Sequence, residues 1–317
     1  VAIADVSWFV TPGSELDREA RKRGNSTYLP DYVVPMLPEK LSNDLCSLKE
    51  GLDRPALCAD MRFDKDGRKR GHRFYRAMIR SQAGLSYNEA QDAIDGAVND
   101  HAAPVLESAV KPLYAAYAAV KKGRDHRSPL DLDLPERKIL FDETGHVDGV
   151  KLRERFDAHR LIEEFMIQAN VAAAETVEEF KLPLIYRVHD QPDPEKMDGV
   201  RTFLDSMNYT LARGQTLKPS NLNAVLHEAE QRDESMMIGQ VVLRAQAQAI
   251  YDTENISHFG LNLRRYAHFT SPIRRYADLT VHRSIVAGLN LGKGAQSERE
   301  ANELASIAED ISVLERQ

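Results

Sequence analysis

Most of the signatures that announce a chemistry are missing from this 317-residue chain. It has no glycine-rich phosphate loop, no G-x-S-x-G nucleophile elbow, no C-x-x-C pair and no internal repeat, which removes most nucleotide-binding and hydrolase readings. Cysteine is scarce. Cys46 and Cys58 lack metal-ligand spacing and sit among Leu and Ala, the setting of buried thiols in a reducing cytoplasm rather than of a disulfide or a catalytic pair. No signal peptide and no apolar run long enough to cross a bilayer is present, so a soluble globular protein without a membrane partner is expected. Excess positive charge is also lacking. A net charge of −7 excludes a polybasic protein that coats nucleic acid by charge alone, so any such contact must be a focused groove. A hydrophobic content of 42% suffices for a substantial core in one large domain or two ordinary ones.

Against that background, residues 267–283, AHFTSPIRRYADLTVHR, stand out. Thr270 or Ser271 is a suitable N-cap and Pro272 a suitable first helical residue, so a helix is expected to start there with Arg274 and Arg275 in its first turn. Ile273, Ala277, Val281 and Ile285 recur every four residues and would bury one face. A helix N-terminus with two guanidinium groups suits a phosphate. The bland alternative is that Arg274 and Arg275 pair with Asp278 along the helix surface. Residues 264–283 hold five arginines against one acid, a local +4, and His258, Phe259, Tyr266, His268 and Phe269 place rings among them. Rings interleaved with cations suit single-stranded nucleic acid, where bases stack and phosphates pair.

The rest of the chain reads as scaffold. Residues 1–6 form a buried strand that delivers Asp5 to a sheet edge. Ser14 with Asp17 starts a charged helix that ends at Gly24. Pro30, Pro35 and Pro38 impose an extended path that carries Tyr28 and Tyr32, with Tyr32 read as a core tyrosine. Residues 54–81 read as a hairpin turning at 64–67, whose Arg68, Lys69, Arg70, Arg73, Arg76 and Arg80 form, for the most part, a solvated strand face. Ser86 with Glu89 caps a helix to about Asp100, and a second helix buries Val105, Leu106, Ala109, Val110, Leu113, Tyr117 and Val120 until Gly123. A strand over 130–141 turns back at Glu143, Thr144 and Gly145. Asp131 and Asp133 share a face but have no third metal ligand near them, so a solvent face is expected. Residues 156–180 form a long helix with Leu161, Ile162, Phe165, Met166, Ala169 and Ala173 as its stripe and Glu163, Glu164 and Asn170 as its polar complement, the two glutamates paired with arginines. A strand ends at His189 and Asp190 in a strand-end hydrogen bond. Helices follow at 195–209, 222–232 and 235–250.

The segments VAIADVSWFVTPGSELDREARKRGNSTYLPD, VVPMLPEKLSNDLCSL, LIEEFMIQANVAAAE, YRVHDQP and AIYDTENISHFGLNLRRYAHFTSPIRRYADLTVHR, long, ordered and in register, resemble the RNB catalytic domain of the ribonuclease II and ribonuclease R family. The resemblance implies a mixed α/β (α+β) fold, a curved sheet surrounded by helices, with residues 1–317 as a single RNB domain truncated at both ends and its flanking OB-fold domains absent. It implies a cytoplasmic, monomeric, processive 3′-to-5′ exoribonuclease that hydrolyses single-stranded RNA to nucleoside 5′-monophosphates with Mg2+. By position, Tyr28 matches the tyrosine that stacks on the terminal base, Arg274 the arginine that holds the phosphate near the scissile bond, and Arg275 a neighbouring backbone contact. The family's metal-binding aspartate cluster precedes the strand that begins here at Val1, so no metal ligand is assigned in this chain and the fragment alone is expected to be nearly inert. The phenylalanine that completes the base sandwich in ribonuclease II aligns near Pro183. A second class of function is a non-catalytic RNA-binding homologue that kept the groove and lost the metal site. A purely structural domain is a third, and predicts no RNA binding.

Overall fold

The computed structural model describes residues 1–132, 137–142, 144–152, 154–212 and 216–316. In chain order its elements are β1 (Ala2–Ala4), α1 (Val6–Phe9), α2 (Glu15–Arg23), β2 (Thr27–Tyr28), β3 (Val33–Val34), β4 (Asp53–Phe63), β5 (Lys69–Arg80), α3 (Tyr87–Asp95), α4 (Ala103–Val105), α5 (Lys111–Arg127), β6 (Arg137–Phe141), β7 (Val147–Leu152), α6 (Asp157–Glu179), β8 (Tyr186–Val188), α7 (Pro194–Ser206), α8 (Pro219–Gln231), α9 (Ser235–Ala245), β9 (Ile250–Asp252), α10 (Tyr276–Gly288) and α11 (Glu298–Leu314). Helix and sheet are mixed, as expected. The largest sheet has three antiparallel strands in the order β1-β4-β5, and β2-β3, β6-β7 and β8-β9 are two-stranded ribbons.

Local signals account for many boundaries. The Ser14 hydroxyl accepts from Asp17 N at the start of α2, and Gly24, at φ 71°, ends it. Ser86 and Glu89 close a reciprocal capping box on α3. That helix stops at Gly96 in the left-handed region instead of running to Asp100. Just after Pro38 the extended path gives way to a short π-helical turn, Lys40–Leu45. The second helix does not end at Gly123 but continues as α5 to Arg127. Glycine is used there for closeness: a Cβ on Gly123 would lie 2.6 Å from the carbonyl oxygen of Gly67, at the tip of the β4–β5 hairpin. Leu113 on α5 is exposed, contrary to its expected place in the stripe. The last of the predicted helices, α9, stops at Ala245, and residues 250–252 instead pair with β8. Of the two aspartates on one face, Asp131 is exposed and ion-paired to Arg124, while Asp133, like Glu143 of the predicted turn, lies outside the described residues.

Two layers position the site. Ala169, Ala172, Ala173 and Ala174 give α6 a flat, fully buried face, which meets Ile3, Leu57 and Phe74 of the sheet and Val281, Ile285 and Val286 of α10. On the other side, Leu279 of α10 joins Val6, Ala20, Leu304 and Ile307 in a second cluster. Helices α7, α8 and α9 form their own core around Leu204, Leu222 and Ile238. Cys46 and Cys58 are buried free thiols, and burial pushes the Cys46 thiol up to about 12.

A buried cation crosses the seam between these elements. The Arg283 guanidinium is wholly inaccessible and bonds Asp17 Oδ1 at 2.7 Å, Val10 O at 2.7 Å and the Glu300 carboxylate, while Tyr276 Oη donates to the same Asp17 oxygen at 2.7 Å. Arg283 thus belongs to the scaffold and not to a ligand surface. Removing one partner of such a group strands the others in a low dielectric. Arg283→Ala is expected to lower the unfolding free energy by about 3–5 kcal/mol in urea titrations; a loss under about 1 kcal/mol would show that the two carboxylates find other partners.

Candidate nucleic-acid interface

The turn that precedes α10 is built differently from the sequence expectation. Arg274 N and Arg275 N both donate to Ser271 O, at 3.1 and 3.0 Å, so the Thr-Ser-Pro signal does produce one helical turn. Arg275 then leaves the helical region, at φ −136° and ψ 125°, and α10 begins only at Tyr276. The reason is a long-range pairing. Ser26 N donates to Arg274 O at 2.9 Å and Tyr276 N to Gly24 O at 2.8 Å, which makes Arg275 an extended partner of Asn25. Strand geometry at one residue overrides the local helix signal. The apolar spacing itself holds: Ala277, Val281 and Ile285 are buried and Ile273 packs against the core.

The same pairing brings the candidate residues together. Two residues beyond Ser26, Tyr28 lies in β2, paired with Val33, on a short ribbon whose turn is closed by Leu29 N to Tyr32 O at 2.8 Å. Tyr28 is 62% exposed. Tyr32, expected in the core, is 61% exposed, because the ribbon stands free of the clusters beneath it. Arg274 is exposed, and its guanidinium has no hydrogen-bond or ion-pair partner among the described residues. Beside it a cavity of about 130 Å³ is lined by Asn25, Ser26, Tyr251, Arg274, Arg275 and Glu315.

Arg275 follows the bland reading. Its Nε and Nη2 bond both oxygens of Asp278, at 2.7 and 2.9 Å, and Asp278, wholly buried, also accepts Ser271 N at 2.6 Å. That carboxylate holds the Arg275 guanidinium firmly in its charged form. Arg275 Nη1 is left free among the described residues, at the edge of the cavity. The local +4 is therefore smaller in space than in sequence: Arg265 pairs with Glu178, Arg275 with Asp278 and Arg283 with Asp17, while Arg264 and Arg274 have no ion-pair partner among the described residues. The strand cations are mostly paired rather than merely solvated. Lys69 meets Glu175, Arg70 Asp64, Arg73 Asp60, Arg80 Asp53, and Arg76 the buried Asp5.

Beneath the turn lies a packed set of rings. His189, His258, Tyr266, His268 and Tyr251 follow one another at centroid spacings of 5.1 to 5.6 Å. His189 keeps the strand-end role expected of it, with Nε2 against Ala247 O at 2.8 Å and Nδ1 accepting from Gly260 N at 2.9 Å. Burial pushes His189, His268 and His282 below the usual imidazole range and His258 down to about 3. None is charged at neutral pH, so these rings are packing and hydrogen-bonding elements. On α6 the two glutamates pair with arginines, Glu163 with Arg155 and Glu164 with Arg127, as expected, though Glu164 is buried and Ile162 of the stripe is exposed. Asn170 differs: it is buried, accepting Phe269 N and donating to Tyr266 Oη. Its helical spacing gave no sign of this, because a polar residue reaching a loop and one reaching water leave the same pattern.

Among the described residues no group of three or more His, Cys, Asp or Glu side chains is arranged to hold a metal ion. The nearby carboxylates Asp5 and Asp278 are each committed to an arginine. Among the described residues, then, these carboxylates do not make a site for a divalent cation. No helix among them is long and apolar enough to cross a membrane.

An exposed tyrosine on the β2–β3 ribbon, an exposed arginine on the turn before α10 and a small cavity between residues 24–26 and 274–275 make up the candidate site, and comparison with known proteins names the family. Residues 1–290 match the RNB domain, and the chain belongs to that family. It is 39% identical over 287 residues to ribonuclease R of Escherichia coli strain K12, covering 90% of this chain and 35% of that protein. To ribonuclease R of Aquifex aeolicus it is 39% identical over 317 residues, covering all of this chain and 45% of the relative. The structure of Mycoplasma genitalium RNase R in complex with ribose methylated single-stranded RNA superposes with a TM-score of 0.92 at 30% identity, covering 99% of this chain and 50% of that one. The chain thus spans between a third and a half of the length of these relatives.

The buried imidazoles make stability depend on pH. An unfolded chain binds a proton on each imidazole near pH 6.5, and the fold refuses it, so below that pH the unfolded state holds more protons and stability falls with falling pH. For His258 this loss extends from about pH 6.5 down to about 3, at up to about 1.4 kcal/mol per pH unit. Urea unfolding followed from neutral pH to about pH 5 is expected to show a shallower decline for His258→Asn than for the unaltered chain; parallel declines would mean that His258 takes up its proton without opening the ring stack.

Proposed function

We propose that this chain is the RNA-gripping part of the catalytic domain of a processive 3′-to-5′ exoribonuclease acting on single-stranded RNA and releasing nucleoside 5′-monophosphates. The observation that carries the reading is the pairing of residues 24–26 with 274–276, which ties the segment leading to an exposed tyrosine to a turn whose exposed arginine has no side-chain partner among the described residues. An exposed phenol ring offers a face to any base, so the grip is sequence-tolerant, as an exonuclease that proceeds along a strand requires. A guanidinium with no protein partner is free to take two phosphate oxygens at once and to stabilise the charge that develops on them as the bond breaks. Arg275, fixed by Asp278, offers Nη1 to the neighbouring phosphate. Likeness to ribonuclease R, including a structure described as holding single-stranded RNA, supports the same reading.

Magnesium belongs to this reading as the family's cofactor, and no residue of this chain is assigned to it. A cytoplasmic, monomeric enzyme is part of the same proposal.

In the complete protein that contains this domain, Arg274→Ala is expected to lower turnover of single-stranded RNA by about 100-fold or more. Tyr28→Ala is expected to weaken binding of the RNA 3′ end by about 1–3 kcal/mol with little base preference. Single-turnover and titration measurements on a labelled oligoribonucleotide read both. Turnover of Arg274→Ala within a few-fold of the unaltered protein would remove Arg274 from the assigned role.

A further inference from the structure

We infer that Asn170, buried in the middle of α6, is a positioning residue for Arg274; the inference rests on the phosphate-binding role proposed above. Asn170 is 2% exposed and stands among Ala169, Val171, Ala172 and Ala173, so a carboxamide there is the exception on an apolar face. Buried amides are costly unless fully bonded, and this one is bonded at both ends. Its Nδ2 donates to Tyr266 Oη at 2.9 Å and its Oδ1 accepts Phe269 N at 2.8 Å. Residues 266–269 lie outside any helix or strand, so the Phe269 N–H has no ladder to join, and Asn170 is its partner.

Phe269 is then held on every side. Its carbonyl oxygen lies 2.7 Å from His282 Nε2, its ring stacks on the His282 ring at 4.4 Å and 24°, and Phe74 meets its edge at 5.2 Å. Two residues further on, Ser271 N is bound to Asp278, and Ser271 O accepts Arg274 N and Arg275 N. Arg274 is thus the tip of a turn tied to α6 at residue 269, to α10 at 271 and to the 24–26 segment at 274. No side chain among the described residues holds the Arg274 guanidinium, so its place over the cavity is set by these backbone ties. Asn170 supplies the hydrogen bond from α6 to the backbone of that turn's approach.

The test is a double-mutant cycle on the 317-residue chain, with fluorescein-labelled oligoadenylate as the probe at low salt and anisotropy as the readout. Arg274→Ala and Asn170→Leu are each expected to weaken binding about tenfold, and Asn170→Leu is expected to add nothing on the Arg274→Ala background. An equal further loss on that background would mean that Asn170 merely supports the fold, and would overturn the inference. Asn170→Asp keeps the acceptor for Phe269 N, with Tyr266 Oη turning donor, and is expected to bind within about threefold of the unaltered chain at the strength of a neutral hydrogen bond. If Arg274→Ala itself leaves binding unchanged, the phosphate reading fails, and hydrogen exchange decides the positioning role separately. Faster exchange of residues 269–275 in Asn170→Leu, with the middle of α10 unchanged, supports it; unchanged exchange in those residues overturns it.

Discussion

Two backbone hydrogen bonds, between residues 24–26 and 274–276, carry more of this structure than their number suggests. They require Arg275 to be extended, which ends the Ser271 turn and fixes where α10 begins. They also tie the segment that leads into the β2–β3 ribbon to that turn, so the stretches carrying Tyr28 and Arg274 are joined although some 250 residues of chain separate them. Below them, Tyr276, Asp17 and Arg283 continue the same junction into the interior. The junction has an exposed half that can meet a ligand and a buried half that has no freedom to.

Charge is distributed by the same logic. An acidic chain cannot attract a polyanion by its overall field, so selectivity for one depends on which cations remain unpaired. Asp278, Glu178 and Asp17 each engage an arginine of the 264–283 run, which leaves Arg264 and Arg274 without an ion-pair partner among the described residues, out of a run that is strongly basic when read as a string. The carboxylates thereby act as much by subtraction as by cohesion. The turn thus presents one exposed guanidinium and, behind it, one edge of a second held by Asp278.

The elements decided by neighbouring residues were legible in the sequence. The caps at Ser14 and Ser86, the β4–β5 hairpin, the full length of α6 and the apolar spacing of α10 follow from contacts within a few residues. Elements decided by distant partners were not. The late start of α10 depends on Asn25, the passage of α5 through Gly123 depends on Gly67, and the exposure of Tyr32 depends on how the ribbon is seated. For the candidate site, the exposure of Arg274 and the tie of Arg275 to Asp278 were both among the readings the string allowed. Asn170 was not, because Glu163, Glu164 and Asn170 present the same periodicity although one reaches an exposed arginine, one a buried arginine and one a loop amide.

The Arg283 hub also has a bearing on how the polypeptide is made. Asp17 and Arg283 are 266 residues apart, and at ordinary elongation rates a ribosome needs on the order of ten seconds to a minute to pass from one to the other. Throughout that interval the Asp17 carboxylate and the apolar side of α2 lack the helix they are to pack against. The nascent segment around α2 must stay solvated, or be sheltered by another protein, until α10 and then α11 emerge from the exit tunnel. The exposed turn before α10, which shares that junction, cannot be set beside residues 24–26 until α10 has been made.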